Sequence, residues 1–337
     1  SSLTNSESHT LSQVQQVLSW LDPSQPVLAQ TGCDFETASK LQLNHSEQLL
    51  GIFSIQDRPH IMVTFSAELI QDRMLIEEML NEGMSVARIN CAHDNPTVWL
   101  NMISVLKKAV AKTGRNCKVY MDLGGPKIRI RSIAGQKKKK DIQLPVSEGT
   151  ELWLRDAGYH KKTDKEKKLK DLDVLYVEPK GILSHVNPGE RIFFDDGKFE
   201  AKVISVVPKA VKVKIVRIST KKPFLKPEKG INFPDSDLDI PPLTEEDKRN
   251  LPFICKHADM VGYSFVDHPD DVELLRNEFR KYSSTRQPAI ILKIERLSAV
   301  QNLPALLMNG MKDEAMGVMI ARGDLAVEIG FERLSEI

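Results

Sequence analysis

The sequence predicts a parallel β/α protein that carries an inserted β-rich segment and is preceded by helices. Three observations carry that reading. Six short apolar runs alternate with helical patterns, one basic stretch shows apolar residues with a period of two, and the first 57 residues show helical patterns without a comparable strand.

Residues 1–57, with helical patterns over 11–21 and 35–50, read as an N-terminal helical extension. The apolar runs follow at 61–64, 86–90, 119–122, 260–264, 290–294 and 317–321. Each of the first five leads into a helical pattern or, once, into the basic insert. The helices are punctuated as physics requires: Asn95-Pro96 opens one, Gly83 closes another, Thr244 with Asp247 forms a capping box, and Asp267 to Pro269 starts the next. In the insert, Val211, Val213 and Ile215 alternate with Lys212 and Lys214, and Asp196-Gly197 reads as a hairpin turn between 191–195 and 199–207. The expected division is 1–57, 58–127, 128–229 for the insert, and 230–337.

The 337 residues suffice for one large domain or two to three smaller ones. With 41% apolar and 28% charged residues, the composition excludes a collagen-like, disulfide-scaffold or wholly disordered chain. Four cysteines, Cys33, Cys91, Cys117 and Cys255, are too sparse for a disulfide framework, so a reducing compartment, the cytoplasm, is expected. A plastid location is also compatible. No apolar run approaches the ~20 residues of a membrane span, so no membrane partner is expected. The chain starts at Ser1 without a signal pattern, and the expectation is that any targeting segment was removed or never present.

The net charge of +1 hides an asymmetry: residues 128–230 hold 25 basic and 14 acidic residues, the remainder 22 and 32. The lysine runs at 137–140 and 161–170 read first as solvated loops, then as an attraction for nucleotide phosphate, and last as a nucleic-acid surface. Aromatics are 6% overall and scarce near those runs, which argues against base stacking and hence against a nucleic-acid partner.

In a parallel β/α barrel, reactive groups sit at the C-terminal ends of the strands. That rule selects Arg88, Asn90, Asp122, Ser264, Lys293, Glu295 and Asp324. Two acids with two cations on one rim suit a divalent metal and a phosphate, and so phosphoryl transfer. Each piece also has an ordinary alternative. Lys293 and Glu295, two apart on a strand, can be a structural ion pair. Gly323-Asp324 can be a turn and cap or a backbone anion site, and Asp122 to Pro126 can be only a turn into the insert.

Taken in order, the segments resemble pyruvate kinase. Residues 85–93, S-V-A-R-I-N-C-A-H, resemble the family's V-A-R-x-N-x-S-H strand, and 122–129, D-L-G-G-P-K-I-R, its D-T-K-G-P-E-I-R. Residues 191–197 resemble the insert hairpin ending D-D-G. K-G-I-N-F-P at 229–234 and D-I-P-P-L-T-E-E-D at 239–247 resemble the return into the barrel. Residues 259–265 resemble the next strand, 293–295 the catalytic strand, and 318–329 the M-V-A-R-G-D-L-G-V-E-I signature. The resemblance covers about residues 58–337.

It implies a (β/α)8 TIM barrel, incomplete here with about six strands, with a small β-barrel lid inserted after the third strand. The implied reaction moves phosphate from phosphoenolpyruvate to ADP, with Mg²⁺ or Mn²⁺ as cofactor, in a homo-oligomer that is a tetramer in the family. By motif position Arg88 binds substrate phosphate, and Lys293 neutralises the moving phosphoryl group and the enolate. Glu295 and Asp324 ligate the metal, the Gly323-Asp324 amides take the substrate carboxylate, and Arg129 and Lys229 meet the nucleotide. Asn90 and Asp122 supply part of a potassium site.

The chain departs from the family pattern at several of these positions. Ala92 stands where the family's Ser ligates potassium, and Leu123-Gly124 replaces Thr-Lys, removing two hydroxyl oxygens and one charge. Thr64-Phe65-Ser66-Ala67 replaces T-I-G-P, Lys127 replaces a Glu, and Asp267 stands where Arg is common. These features resemble an atypical branch, and a non-catalytic paralogue that binds metal and phosphate is the second reading. Six strands do not close an eight-stranded barrel, so the expectation is a fragment with exposed apolar edges, inactive unless the rest is supplied.

Overall fold

The computed structural model describes residues 9–22, 33–52, 59–134, 143–157, 173–282, 287–312 and 315–336. The lysine runs at 137–140 and 161–170 lie outside the described residues. The chain divides into two compact units, residues 1–88 with 100–119, and residues 89–99 with 120–337. Strands and helices follow the order read from the sequence, with ends shifted by one or two residues.

The first unit holds α1 (Thr10–Leu21), α2 (Phe35–Leu50), β1 (Ile61–Thr64), α3 (Arg73–Asn81), the first five residues of β2 (Met84–Asn90), most of α4 (Pro96–Thr113) and the start of β3 (Lys118–Asp122). The Asp34 side chain caps α2 by accepting from Thr37 N, and Asp72 caps α3 through Leu75 N. Neither α1 nor α2 buries a residue. Strand β1 pairs in parallel with β2, from Ile61 beside Met84 to Thr64 beside Arg88. Ile61 and Met62 on β1 are exposed apolar side chains.

The second unit continues with β4 (Arg129–Ile133), β5 (Leu144–Pro145), β6 (Glu151–Asp156), β7 (Asp173–Glu178), β8 (Arg191–Phe194), β9 (Phe199–Val207), β10 (Ala210–Ile218), β11 (Phe224–Leu225) and β12 (Ile231–Asn232). Seven of these strands form one sheet in the order β12-β8-β9-β10-β6-β7-β4. Arg129 at one end also bridges Gly230, beside β12 at the other, so the sheet curls almost closed. The sheet thus takes up Ile231–Asn232, two residues past the boundary expected at 229. The period of two on β10 buries Val211, Val213 and Ile215 against Leu152, Leu154 and Phe199. The β8–β9 hairpin turns through Asp195, Asp196 and Gly197, all at positive φ.

After the insert come α5 (Glu245–His257), β13 (Met260–Tyr263), α6 (Pro269–Tyr282), β14 (Ala289–Ile294), α7 (Leu297–Gln301), α8 (Leu303–Gly310), β15 (Met316–Ile320), α9 (Arg322–Ile329) and α10 (Phe331–Leu334). Strands β3, β13, β14 and β15 pair in parallel in that order. Strand β14 is buried from Ile290 to Ile294, as a strand covered on both faces must be. The expected apolar edge appears on β15, where Val318 and Ile320 are exposed. Thr244 and Asp247 form the full reciprocal capping box of α5. Helix α6 begins at Pro269, within the stretch expected to start it. Asp271 reaches back to the amides of Asp267 and His268, which frees the Asp267 carboxylate to bind Arg296 at 2.8 Å and Ser298 Oγ at 2.8 Å. Among the described residues no helix is long and apolar enough to cross a membrane.

Candidate active site

Strands β3, β13 and β14 pair side by side, and at or just past their ends stand the buried polar residues Asp122, Ser264, Lys293 and Glu295, which need partners there. Lys293 is 8% exposed. Its Nζ lies 2.8 Å from Glu295 Oε1 and 3.2 Å from Asp122 Oδ1, and donates to Ser264 Oγ at 2.7 Å. An ammonium has three protons, so each has an acceptor. Ser264 passes its own hydroxyl proton to the Leu123 carbonyl at 2.8 Å. The structure therefore joins four of the residues picked from strand ends: Asp122, Ser264, Lys293 and Glu295.

The turn after β13 completes the cluster. Phe265 N donates to Glu295 Oε2 at 2.8 Å, from a backbone at φ +58. That positive φ is costly for an aromatic residue and is held in place by its surroundings. Gly125 is one reason it fits: a Cβ there would stand 2.7 Å from Phe265 Cδ2 and 3.0 Å from Ser264 Cβ. The Arg296 guanidinium lies 5.2 Å over the Phe265 ring.

Charge sets the chemistry. Burial works against the Lys293 ammonium, but Glu295 and Asp122 outweigh it and raise its pKa, so the lysine stays protonated. Burial pushes the Glu295 carboxyl up, Lys293 opposes this, and the negative charge of Asp324 adds to the rise. Two buried carboxylates around one ammonium, with a third carboxylate within electrostatic reach, make a site that favours an added cation.

Asp324 lies in the first turn of α9, with Oδ1 3.4 Å from Lys127 Nζ. Helix α9 begins at Arg322, and Ala321 at its N-cap offers no side-chain cap, so the first amides, those of Gly323 and Asp324 among them, have no intrahelical acceptor. Beside Asp324 a cleft of about 350 Å³ opens onto Lys127, Phe265, Arg296 and Glu328.

The remaining sequence-derived residues are placed as follows. Arg88 belongs to the first unit, where its Nη1 donates to Thr64 Oγ1 at 3.0 Å and its carbonyl accepts from Phe65 N at 2.8 Å. Asn90 Oδ1 accepts from Ala92 N at 3.1 Å. Lys229 Nζ lies 2.8 Å from Asp195 Oδ1, whose hydrogen bond raises the lysine pKa. Arg129 is placed by its backbone bridge to Gly230. The amide of Gly124, an open possibility for phosphate, is taken by Asp247 Oδ1 at 3.0 Å.

Several contributors escape the strand-end rule. Asp247 reads in sequence only as a cap, and Lys127 only as a departure. Tyr120 and Gly262 read as strand residues, although a glycine inside a buried strand is itself a signal of close approach. Glu328 lies within the 318–329 motif without a role of its own there. Burial pushes its carboxyl up to about 7, against a hydrogen bond from Asn232 Nδ2 at 3.2 Å.

Comparison with known proteins identifies the family. Residues 57–337 match the family model described as pyruvate kinase, barrel domain. The chain is 31% identical over 258 residues to the pyruvate kinase of Hypocrea jecorina, covering 75% of this chain and 44% of that protein. It is also 31% identical over 263 residues to that of Encephalitozoon cuniculi, covering 78% and 54%. For the pyruvate kinase of Schizosaccharomyces pombe the figures are 31% over 259 residues, covering 75% and 46%. The chain spans about half the length of the curated relatives it matches. The parallel strands, the curled β insert between them and a match over residues 57–337 together show that the chain belongs to the pyruvate kinase family.

Proposed function

We propose that the chain carries phosphoryl-transfer machinery of a pyruvate kinase, moving phosphate from phosphoenolpyruvate to ADP to give pyruvate and ATP. The observation that supports it best is the Lys293 ammonium, protonated and buried at a strand end between Glu295 and Asp122. In the reaction the bond from the enol oxygen to phosphorus breaks, and a terminal ADP oxygen bonds to phosphorus. The enolate left behind takes a proton to become pyruvate. Phosphoryl transfer asks little covalent work of a protein, so positioning and charge carry the rate.

Lys293 faces the phosphoryl group and the enolate oxygen as negative charge moves between them. Arg88 binds the substrate phosphate, an assignment that rests on its motif. The unsatisfied amides of Gly323 and Asp324 receive the substrate carboxylate. Arg129 and Lys229 meet the nucleotide, Lys229 by exchanging Asp195 for a phosphate oxygen.

Glu295 and Asp324 would hold Mg²⁺ or Mn²⁺. The fit is supported by the upward push on Glu295 that Asp324 contributes, which a dication relieves, and by the oxygen-only donor set. Among the described residues no group of three or more His, Cys, Asp or Glu is arranged as a cage. Two carboxylates suffice for magnesium, which keeps water and phosphate oxygens in its shell. When bound, the ion supplies positive charge that polarises the transferred phosphoryl group. Potassium fits poorly: Ala92 and Leu123 carry no side-chain oxygen. No step is assigned to it.

The altered residues at 92, 123 and 124 also favour a second reading, a paralogue that binds phosphoenolpyruvate and metal without turnover. We infer a homo-oligomeric cytoplasmic protein, in keeping with four free cysteines. The test is ADP-dependent pyruvate formation by the intact protein with Mg²⁺, run beside calorimetry with phosphoenolpyruvate. Turnover supports the kinase. Tight binding without turnover supports the paralogue, and neither turnover nor binding overturns both.

A further inference from the structure

We propose that Arg296 is a positioning residue for metal binding: its guanidinium, laid over the Phe265 ring and tied to Asp267, holds the peptide whose N–H orients the Glu295 carboxylate. This rests on the reading above, in which Glu295 is a ligand of Mg²⁺ or Mn²⁺, and adds a residue to it.

Glu295 is 2% exposed, and each of its oxygens has a donor. Oε1 meets Lys293 Nζ at 2.8 Å, and Oε2 accepts from Phe265 N at 2.8 Å. One donor on each oxygen fixes the plane of the carboxylate, and with it the direction of the lone pairs left for a cation. The Phe265 donor is a backbone group, so its aim depends on the conformation of its own residue. Phe265 stands at φ +58, a region an aromatic residue occupies only where its neighbours over-determine it. What holds Phe265 there therefore also aims Glu295.

The holding contacts gather two residues further on. The Asp267 N–H donates to Asp271 Oδ2 at 2.9 Å, and its carbonyl accepts from Asn302 Nδ2 at 2.9 Å. Its carboxylate accepts from Ser298 Oγ at 2.8 Å and from Arg296 Nη1 at 2.8 Å. Of these partners Arg296 is the one that also covers the Phe265 ring, 5.2 Å from its centroid. It pins the ring and the chain just past it at once, so φ of Phe265 cannot relax without breaking one of the two contacts. The ring also packs against Gly125, where a Cβ would stand 2.7 Å from Phe265 Cδ2. The Arg296 and Asp267 side chains are only 20% and 15% exposed, which spares their ion pair most of the screening that solvent imposes. Arg296 directly follows Glu295 in the chain, so the residue after the ligand reaches back to hold the ligand's second donor.

The sign of the effect separates this role from plain electrostatics. Arg296 and Asp324 line one cleft, so the guanidinium charge by itself opposes a dication, and its removal would tighten metal binding. Positioning predicts the reverse. In the intact protein titrated with Mn²⁺ alone by calorimetry, Arg296→Met is expected to raise Kd about tenfold, at the low end for contacts outside the ligands because Arg296 acts through Phe265. Arg296→Lys keeps a cation for both the ring and Asp267, and its Kd is expected to stay within about threefold of wild type. The amide proton of Phe265 gives a readout that needs no metal: as a donor to a carboxylate it lies downfield in the NMR spectrum, and it should move upfield in Arg296→Met. Thermal melting shows whether each variant is folded, and Arg296→Gln, a gentler loss of the same charge, carries the comparison where Arg296→Met is not. Unchanged or tighter Mn²⁺ binding by the folded variant overturns the proposal, as does an unmoved Phe265 amide. A wild-type protein that binds no Mn²⁺ overturns the metal reading and this role with it, an outcome distinct from wild-type binding that the substitutions leave untouched.

Discussion

Gly124 donates its backbone N–H to Asp247 Oδ1 at 3.0 Å, so the residue that completes the capping box of α5 also holds the turn that follows Asp122. Oδ2 of the same carboxylate accepts from Thr244 N at 3.1 Å and Thr244 Oγ1 at 2.6 Å. Burial raises the Asp247 pKa against the pull of those donors, a cost offset by three hydrogen bonds on one side chain. Asp247→Ala strands the Gly124 amide and removes the reciprocal half of the capping box, and is expected to cost about 2–3 kcal/mol. Urea unfolding checks this, and an equal midpoint for variant and wild type contradicts it.

The Lys293 ammonium serves stability as well as chemistry. Lys293→Met removes the ammonium from between the buried Glu295 and Asp122 carboxylates, and we expect a loss of about 3 kcal/mol from that alone. Turnover is expected to fall about 1,000-fold, with a small change in KM for phosphoenolpyruvate. Adding Glu295→Gln removes one of the two charges that the ammonium balanced. Stability should partly return while activity stays low. Thermal melting of the three proteins separates the two effects, and a double variant no more stable than Lys293→Met excludes charge burial as the cause.

Much of the fold was legible because parallel strands buried on both faces must be continuous apolar runs, as 290–294 shows. The strand-end rule then led to Lys293, Glu295, Ser264 and Asp122, since each ends a run or follows one. What it missed depends on contacts between distant residues. Gly124 and Asp247 are 123 positions apart, and Lys127 and Asp324 are 197 apart, so no window of sequence holds either pair. Tyr120 and Gly262 look like ordinary strand residues until the register of β3 and β13 puts a phenol where a side chain is absent. Helix α6 starts at Pro269 as read, but the roles of its two acids were not legible: Asp271 binds the amides of Asp267 and His268 while Asp267 binds Arg296.

Potassium is expected to have little effect on turnover. Ala92 and Leu123 offer no side-chain oxygen, so two of the ligands that would replace water around a monovalent ion are missing. Replacing K⁺ by tetramethylammonium at constant ionic strength should change kcat by less than about twofold, because the local positive charge is already supplied by Lys293. A strong K⁺ requirement would show that backbone carbonyls or substrate complete a site these side chains do not.

Glu328 predicts a pH dependence of stability with a definite sign. Burial raises its carboxyl to about 7; Asn232 and Arg296 pull it down, and Asp267 and Asp324 push it further up. Unfolded, the same group titrates near the ordinary value of about 4.3. Between those values the folded protein binds the proton and the unfolded chain does not, so this group lowers stability as pH rises from about 4.3 to 7. The full penalty is present above that window and absent below it. Its size is on the order of 1–3 kcal/mol, toward the lower end because the residue keeps some solvent contact. Glu328→Gln keeps an acceptor for Asn232 and removes the titration. The variant should therefore be more stable than wild type at pH 8, with the gap closing toward pH 5. Urea midpoints measured across that range decide it: parallel pH profiles for the two proteins would mean that Glu328 is ionised throughout.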